Sequence, residues 1–204
     1  MSSESTEAVT ARSPREAQAL VTIQRAVGHR AGVLPSARGL SHLGEHAGGW
    51  LAAAAAGTVV AAIRGDSAAQ ARWVQAGLGI FVAHAASVAV KRVVRRPRPH
   101  DERIAIGVGT PSKLSFPSSH ATSTTAAAVL LGRAAGLPPA VLPLLLVPPM
   151  AASRLVLGVH YPTDVVAGAI LGAATAAVTT RSERLTSPVT SRVSRVTGAS
   201  RGER

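Results

Sequence analysis

Three separated groups of residues carry the side chains that could do chemistry. Lys91 is followed after six residues by Arg98 and Pro99, Pro117-Ser118-Ser119-His120 comes next, and Ser153-Arg154 is followed by His160 after five residues and Asp164 after three more. Together they offer three permanent cations, two imidazoles and one carboxylate. An arginine fork donates two hydrogen bonds to a phosphate, and a lysine adds a point charge. Serine is a favoured N-cap, and the first N–H groups of a helix attract an anion. That places His120 in a first helical turn beside any bound phosphate, where it could protonate a departing oxygen. His160 and Asp164 are four residues apart, so the carboxylate can hold one ring nitrogen and leave the other as a nucleophile. Each group borders an apolar segment. The combination suits cutting a phosphate from a molecule that lies in a membrane.

Taken singly, the groups have plainer explanations. Lys91 and Arg98, two helical turns apart, would serve as a positive flank of an apolar helix, and Arg92, Arg96 and Arg103 are expected to do that. Ser118 would simply cap a helix, and Asp164 would suit a helix dipole. Charges this close to hydrocarbon are costly and usually functional, which favours the chemical reading of the third group. His29, His42, His46, His84 and His100 have no comparable company. His84, inside an apolar stretch, is expected to hydrogen-bond between helices. Neither a metal nor any other cofactor is expected, because no His/Asp/Glu set has ligand spacing apart from the residues already assigned to phosphate. Ser118 and Ser119 lack a Gly-x-Ser-x-Gly elbow, and the Gly107–Gly109 stretch is only a flexible loop.

The elements that must position these residues are helices. Apolar residues make up 47% of the 204 residues and aromatics only 2%. Small side chains in such quantity suit helices that approach closely, as they do in lipid. Five apolar stretches follow one another, at about 48–63, 69–90, 120–131, 139–159 and 162–178. The expected fold is all-α, a polytopic membrane bundle of about five transmembrane helices with disordered termini. Segment 1–39 is expected to be disordered apart from a helix over 14–30, packed on the protein or lying on the bilayer surface. Residues 40–180 would be the membrane domain, and 181–204 a disordered basic tail. Nothing resembling a secretory signal opens the chain, so internal segments would have to insert. If the two stretches between the second and third groups both cross, all three groups converge on one membrane face. Net charge is +12. The arginines are not interleaved with aromatics, which argues against nucleic acid and for anionic lipid headgroups. With no cysteine, disulfides and thiolate sites are excluded. With Lys91, Arg98 and Arg154 set aside as functional, Lys and Arg divide almost evenly between the two sides of a five-span bundle, so the positive-inside rule does not choose an orientation.

In order and spacing, the three groups resemble the type 2 phosphatidic acid phosphatase family over about residues 45–180. The family pattern is matched in full by the first and third groups; in the second, Ser119 stands where glycine is usual. The resemblance implies that His160 attacks phosphorus and forms a phosphohistidine, that Asp164 orients it, and that His120 protonates the leaving group. It further implies that Lys91, Arg98, Arg154 and the Ser118/Ser119 turn hold the phosphate oxygens, that no metal is required, and that the site faces outward from a cell membrane. Size, composition and residues 40–52 are most similar to small actinobacterial members proposed to act on decaprenylphosphoryl-5-phosphoribose. Undecaprenyl diphosphate and phosphatidic acid or phosphatidylglycerophosphate are the alternative substrates. The rival classes are a non-catalytic anionic-lipid-binding protein and the vanadate haloperoxidases, which share a similar anion pocket.

Overall fold

The computed structural model describes residues 14–199, with side chains described through Ser182. The disorder expected for 1–13 and for the last few residues lies outside that range. Among these described residues seven α-helices succeed one another: α1 (Pro14–Val27), α2 (Val33–Gly44), α3 (Gly48–Ile63), α4 (Ser67–Val94), α5 (Ser119–Ala134), α6 (Val141–Val156) and α7 (Pro162–Ala199). A single 3-10 turn, Glu45–Ala47, separates α2 from α3. No strand occurs among the described residues; Pro97 and Leu114 form one isolated bridge.

Helix α5 is the axis of the bundle, with α4, α6 and α7 against it. Nearly all its side chains are buried, including Thr122, Ser123, Thr124 and Thr125. Its polar residues are tolerated because most are satisfied locally. Thr122 and Ser123 donate to the carbonyls of Ser118 and Ser119, four residues back, and Thr124 Oγ1 accepts from Trp50 Nε1 at 3.1 Å. Small residues set the helix spacing. A Cβ at Gly168 would meet Ser118 O at 2.6 Å and one at Gly172 would meet Thr122 O at 2.3 Å, so α7 touches the backbone of α5 along one glycine face.

Three segments are long and apolar enough to cross a membrane: Val33–Ile63, Ser67–Val94 and Pro162–Ser182. Helices α5 and α6, each 16 residues, would span only about 24 Å at 1.5 Å per residue. The five sequence stretches therefore all become helices, with unequal roles. Because α5 is enclosed by its neighbours, it does not need a lipid-facing surface. The outward faces of the others carry exposed Val59, Leu78, Phe81, Leu144, Leu145 and Ile170, an apolar belt of the kind that lipid covers.

Helix α1 lays Ala17, Leu20 and Val21 against Ile104 and Tyr161, so its apolar face is closed by protein rather than by a bilayer. Helical backbone in α7 continues to Ala199, into the polar, basic segment 181–204 expected as a tail.

Candidate active site

Each group is delivered by the end of a helix. Pro97 disfavours helical geometry at Arg96, and α4 stops at Val94, with Arg95 left-handed at φ 54°. Arg98 thus leaves the helical face it was expected to share with Lys91. The loop 95–118 returns it: Arg98 Nε donates to Ser112 O at 2.8 Å and Nη1 to Val159 O at 2.7 Å. At the start of α5, Ser118 is the N-cap, its Oγ accepting from Ala121 N. At the end of α6, Gly158 takes φ +68°, where a side chain would be strained and a Cβ would lie 2.6 Å from Ala105 O. This left-handed residue turns the chain so that Arg154, on the last turn of α6, and His160 face the same space. Pro162 opens α7, and Asp164 accepts the backbone N–H of Tyr161 through Oδ2 at 2.8 Å, closing that helix start.

Lys91, Arg98, Ser119, His120, Arg154 and His160 all line one cavity of about 480 Å³. Ser118 and Asp164 do not: both are fully buried behind it, joined by a hydrogen bond from Ser118 N to Asp164 O at 2.9 Å. The hydroxyl of Ser119, where the family pattern has glycine, lies 2.8 Å from Ser87 Oγ on α4 and donates to it, since the Ser87 hydrogen goes to His84 O at 2.7 Å.

The polar partners fix the state of each ring. An arginine only donates, and Arg98 Nη1 lies 3.3 Å from His160 Nε2, so Nε2 presents its lone pair. The proton then sits on Nδ1, which is buried, has no hydrogen-bond partner and lies 3.6 Å from Asp164 Oδ2. That gap is too long for a hydrogen bond, so Asp164 acts on His160 in this geometry as a nearby charge. Burial, reinforced by the cations of Arg98 and Lys91 and opposed by Asp164, pushes the His160 imidazole down to about 4. His120 Nε2 lies 3.0 Å from Ser41 O, an acceptor only, so Nε2 carries hydrogen and Nδ1 is the nitrogen left to exchange a proton.

The cations are disposed unequally. Lys91 Nζ donates to the carbonyls of Leu114, Ser115 and Pro117, at 3.3, 3.0 and 2.7 Å. Its first task is to hold the segment leading into α5. Arg154 is 1% exposed. Its Nε and Nη1 reach Ser153 Oγ and Ser41 Oγ at 3.1 Å each, while Nη2 is buried without a partner. Among the described residues no carboxylate pairs with Lys91, Arg98 or Arg154. A buried, permanently charged guanidinium with an open donor is costly unless an anion completes it.

One residue beyond the sequence motifs, Arg96, bonds Asp164 directly. Arg96 is no membrane flank: its Nη1 donates to Asp164 Oδ1 at 2.8 Å and to Thr163 Oγ1 at 2.7 Å, and its Nη2 pairs with Glu16 of α1. The guanidinium also lies 4.2 Å from the Tyr161 ring centre. Arg103, similarly, pairs with Asp101 at 2.7 Å. His42, His46 and His84, set aside in the sequence, line the same cavity. His84 has its Nδ1 buried without a partner, so it is not the interhelical hydrogen bonder expected.

The PAP2 superfamily pattern matches residues 72–186, more than half of the chain. The chain belongs to the PAP2 superfamily. It is similar to a protein of Mycolicibacterium smegmatis named decaprenylphosphoryl-5-phosphoribose phosphatase, with 60% identity over 149 residues, 73% of this chain and 78% of that one. It is similar also to a Mycobacterium tuberculosis protein of the same name, with 55% identity over 168 residues, 82% of this chain and 90% of that one. No solved structure shows significant similarity. As a member of this superfamily the protein is a phosphatase, and its apolar helices associate it with a membrane.

Proposed function

We propose that the protein hydrolyses the terminal phosphate monoester of a lipid-linked sugar phosphate, decaprenylphosphoryl-5-phosphoribose. The observation that carries the phosphate reading is Arg154: a guanidinium sunk in the protein with one donor open and no counter-charge. The oxygens of a phosphate would take up that donor and the Nη2 of Arg98, with Lys91 close by as a charge. The lipid and sugar come from the relatives' names, whose sequences match over most of both chains.

In the proposed reaction His160 Nε2 attacks phosphorus as its lone pair is released from Arg98. The bond from phosphorus to the sugar oxygen breaks, and that oxygen takes a proton from Nδ1 of His120, which enters the step as the imidazolium, its second proton held by the charge of the bound phosphate beside it. Water then attacks the phosphohistidine, giving its proton back to His120, and the phosphorus–nitrogen bond breaks to free inorganic phosphate and neutral His160. Asp164 stabilises the positive charge that builds on His160, and the side chains named supply the charge stabilisation without a metal. The site is proposed to open on the outer face of the cell membrane, in keeping with the family resemblance. Labelling a Lys113→Cys variant of this cysteine-free chain from outside intact cells tests that orientation.

The central experiment is a phosphate-release panel in detergent with EDTA, comparing polyprenylphosphoryl-5-phosphoribose, undecaprenyl diphosphate and phosphatidic acid. The expected result is preferential release from the first, and its loss in His160→Ala with no phosphohistidine trapped. Release by His160→Ala at the wild-type rate would overturn the nucleophile.

A further inference from the structure

A phosphate fills only one end of the cavity. Lys91 and His84 lie seven residues apart on α4, two turns and about 10 Å along one face, so the wall at His84 is beyond the reach of the phosphate itself. There His84 meets His46, ring centres 6.2 Å apart and edge to face, and Glu45, its carboxylate 3.8 Å from His42 Nδ1, lines the same cavity. This end has an unmet need, because His84 Nδ1 is buried with nothing to bond. It is also built at a cost. His46 and Ala47 are consecutive left-handed non-glycine residues, at φ 49° and 59°, each disfavoured by about 1–2 kcal/mol. They break the long apolar run Val33–Ile63 in its middle and turn Glu45 and His46 into the cavity. Irregular backbone within an apolar run is tolerated where it lines a cavity.

We propose that Glu45, His46 and His84 form a polyol subsite that reads the hydroxyls of the sugar lying between the scissile phosphate and the lipid. A hydroxyl both donates and accepts, so it satisfies His84 Nδ1 in either tautomer. A carboxylate accepts from sugar hydroxyls, whereas it repels a second phosphate, which makes the Glu45 wall unsuited to the phosphodiester. An alkyl chain would leave His84 unpaired. The inference rests on the proposed reaction and specifies which residues select its substrate.

The test compares kcat/KM for polyprenylphosphoryl-5-phosphoribose and its 2-deoxyribose counterpart, with polyprenyl monophosphate as the sugarless reference. Wild type is expected to prefer the ribosyl over the deoxyribosyl lipid roughly tenfold or more, since a site built for a hydroxyl penalises its absence. Glu45→Gln, a change on an exposed side chain, and His84→Ala are each expected to bring that ratio close to one. The ratio is unaffected by a general loss of folded protein. A wild-type ratio of one, or a ratio unchanged in both variants, overturns the subsite while leaving the phosphatase reading intact. Failure of the wild type to release phosphate from any of the three lipids removes both.

Discussion

His160 and His120 are both imidazoles, and their partners make them opposites. Arg98 leaves His160 Nε2 with its lone pair outward, and Ser41 O leaves His120 with Nδ1 as its exchangeable position. The ring proposed to attack must be neutral. Burial holds His160 below the ordinary histidine range, near 4, so acid silences it late. We expect kcat/KM for an aryl phosphate, corrected for the substrate's own second ionisation near pH 6, to stay flat as pH falls through 6.5 and to drop only toward the lowered value. An acid limb at 6.5 or above would contradict a buried, neutral nucleophile. The role of His120 depends on the leaving group. His120→Ala should slow release from a lipid-linked sugar by about 10²–10⁴-fold but scarcely slow release from p-nitrophenyl phosphate, whose leaving oxygen needs no proton. Equal losses on both would remove the acid assignment.

At the level of helices, the site depends on contacts between segments remote in sequence. Arg96 at the end of α4 joins Glu16 of α1 to Asp164 of α7. Removing it leaves a buried carboxylate short of its ion partner just behind His160, the proposed nucleophile. Arg96→Ala is expected to lower kcat about tenfold with little change in KM, and Arg96→Lys to recover part of the loss. If Arg96 merely anchored a helix flank, protein yield in membranes would fall and kcat would not. This contact also marks where reading the sequence stopped. Lys91, Arg98, His120, Arg154, His160 and Asp164 were legible because short fixed spacings tie each to a helix end. The clustering was legible too, from the number of crossings between groups. Arg96 looked like one more basic residue beside a span, since its partner Glu16 is eighty residues away. His84 looked like packing, because nothing local announces that the chain breaks at His46. The one available sign was composition: Glu45 and His46, close after Arg38 and His42, sit at the mouth of the apolar run 47–63, and charge there is expensive without a purpose.

For the molecule as a whole, α5 is the hub and its neighbours form the lipid-facing coat. That distinction explains how a bundle with a serine- and threonine-rich central helix can still sit in a bilayer. It also predicts that an outward residue behaves opposite to one on a water-soluble protein. Leu78 is 61% exposed near the middle of α4. Leu78→Arg would be nearly neutral in water but should cost about 2.5–3.5 kcal/mol in hydrocarbon, seen as lost membrane-integrated protein after alkaline extraction. Normal integration of that variant would argue against lipid at this face. The unmatched guanidinium of Arg154 has a further consequence for the catalytic cycle. An empty cavity is the strained state, and the smallest ion able to relieve it is the inorganic product. Orthophosphate should therefore protect the resting enzyme against heat and compete with substrate, so that turnover slows wherever the released ion accumulates.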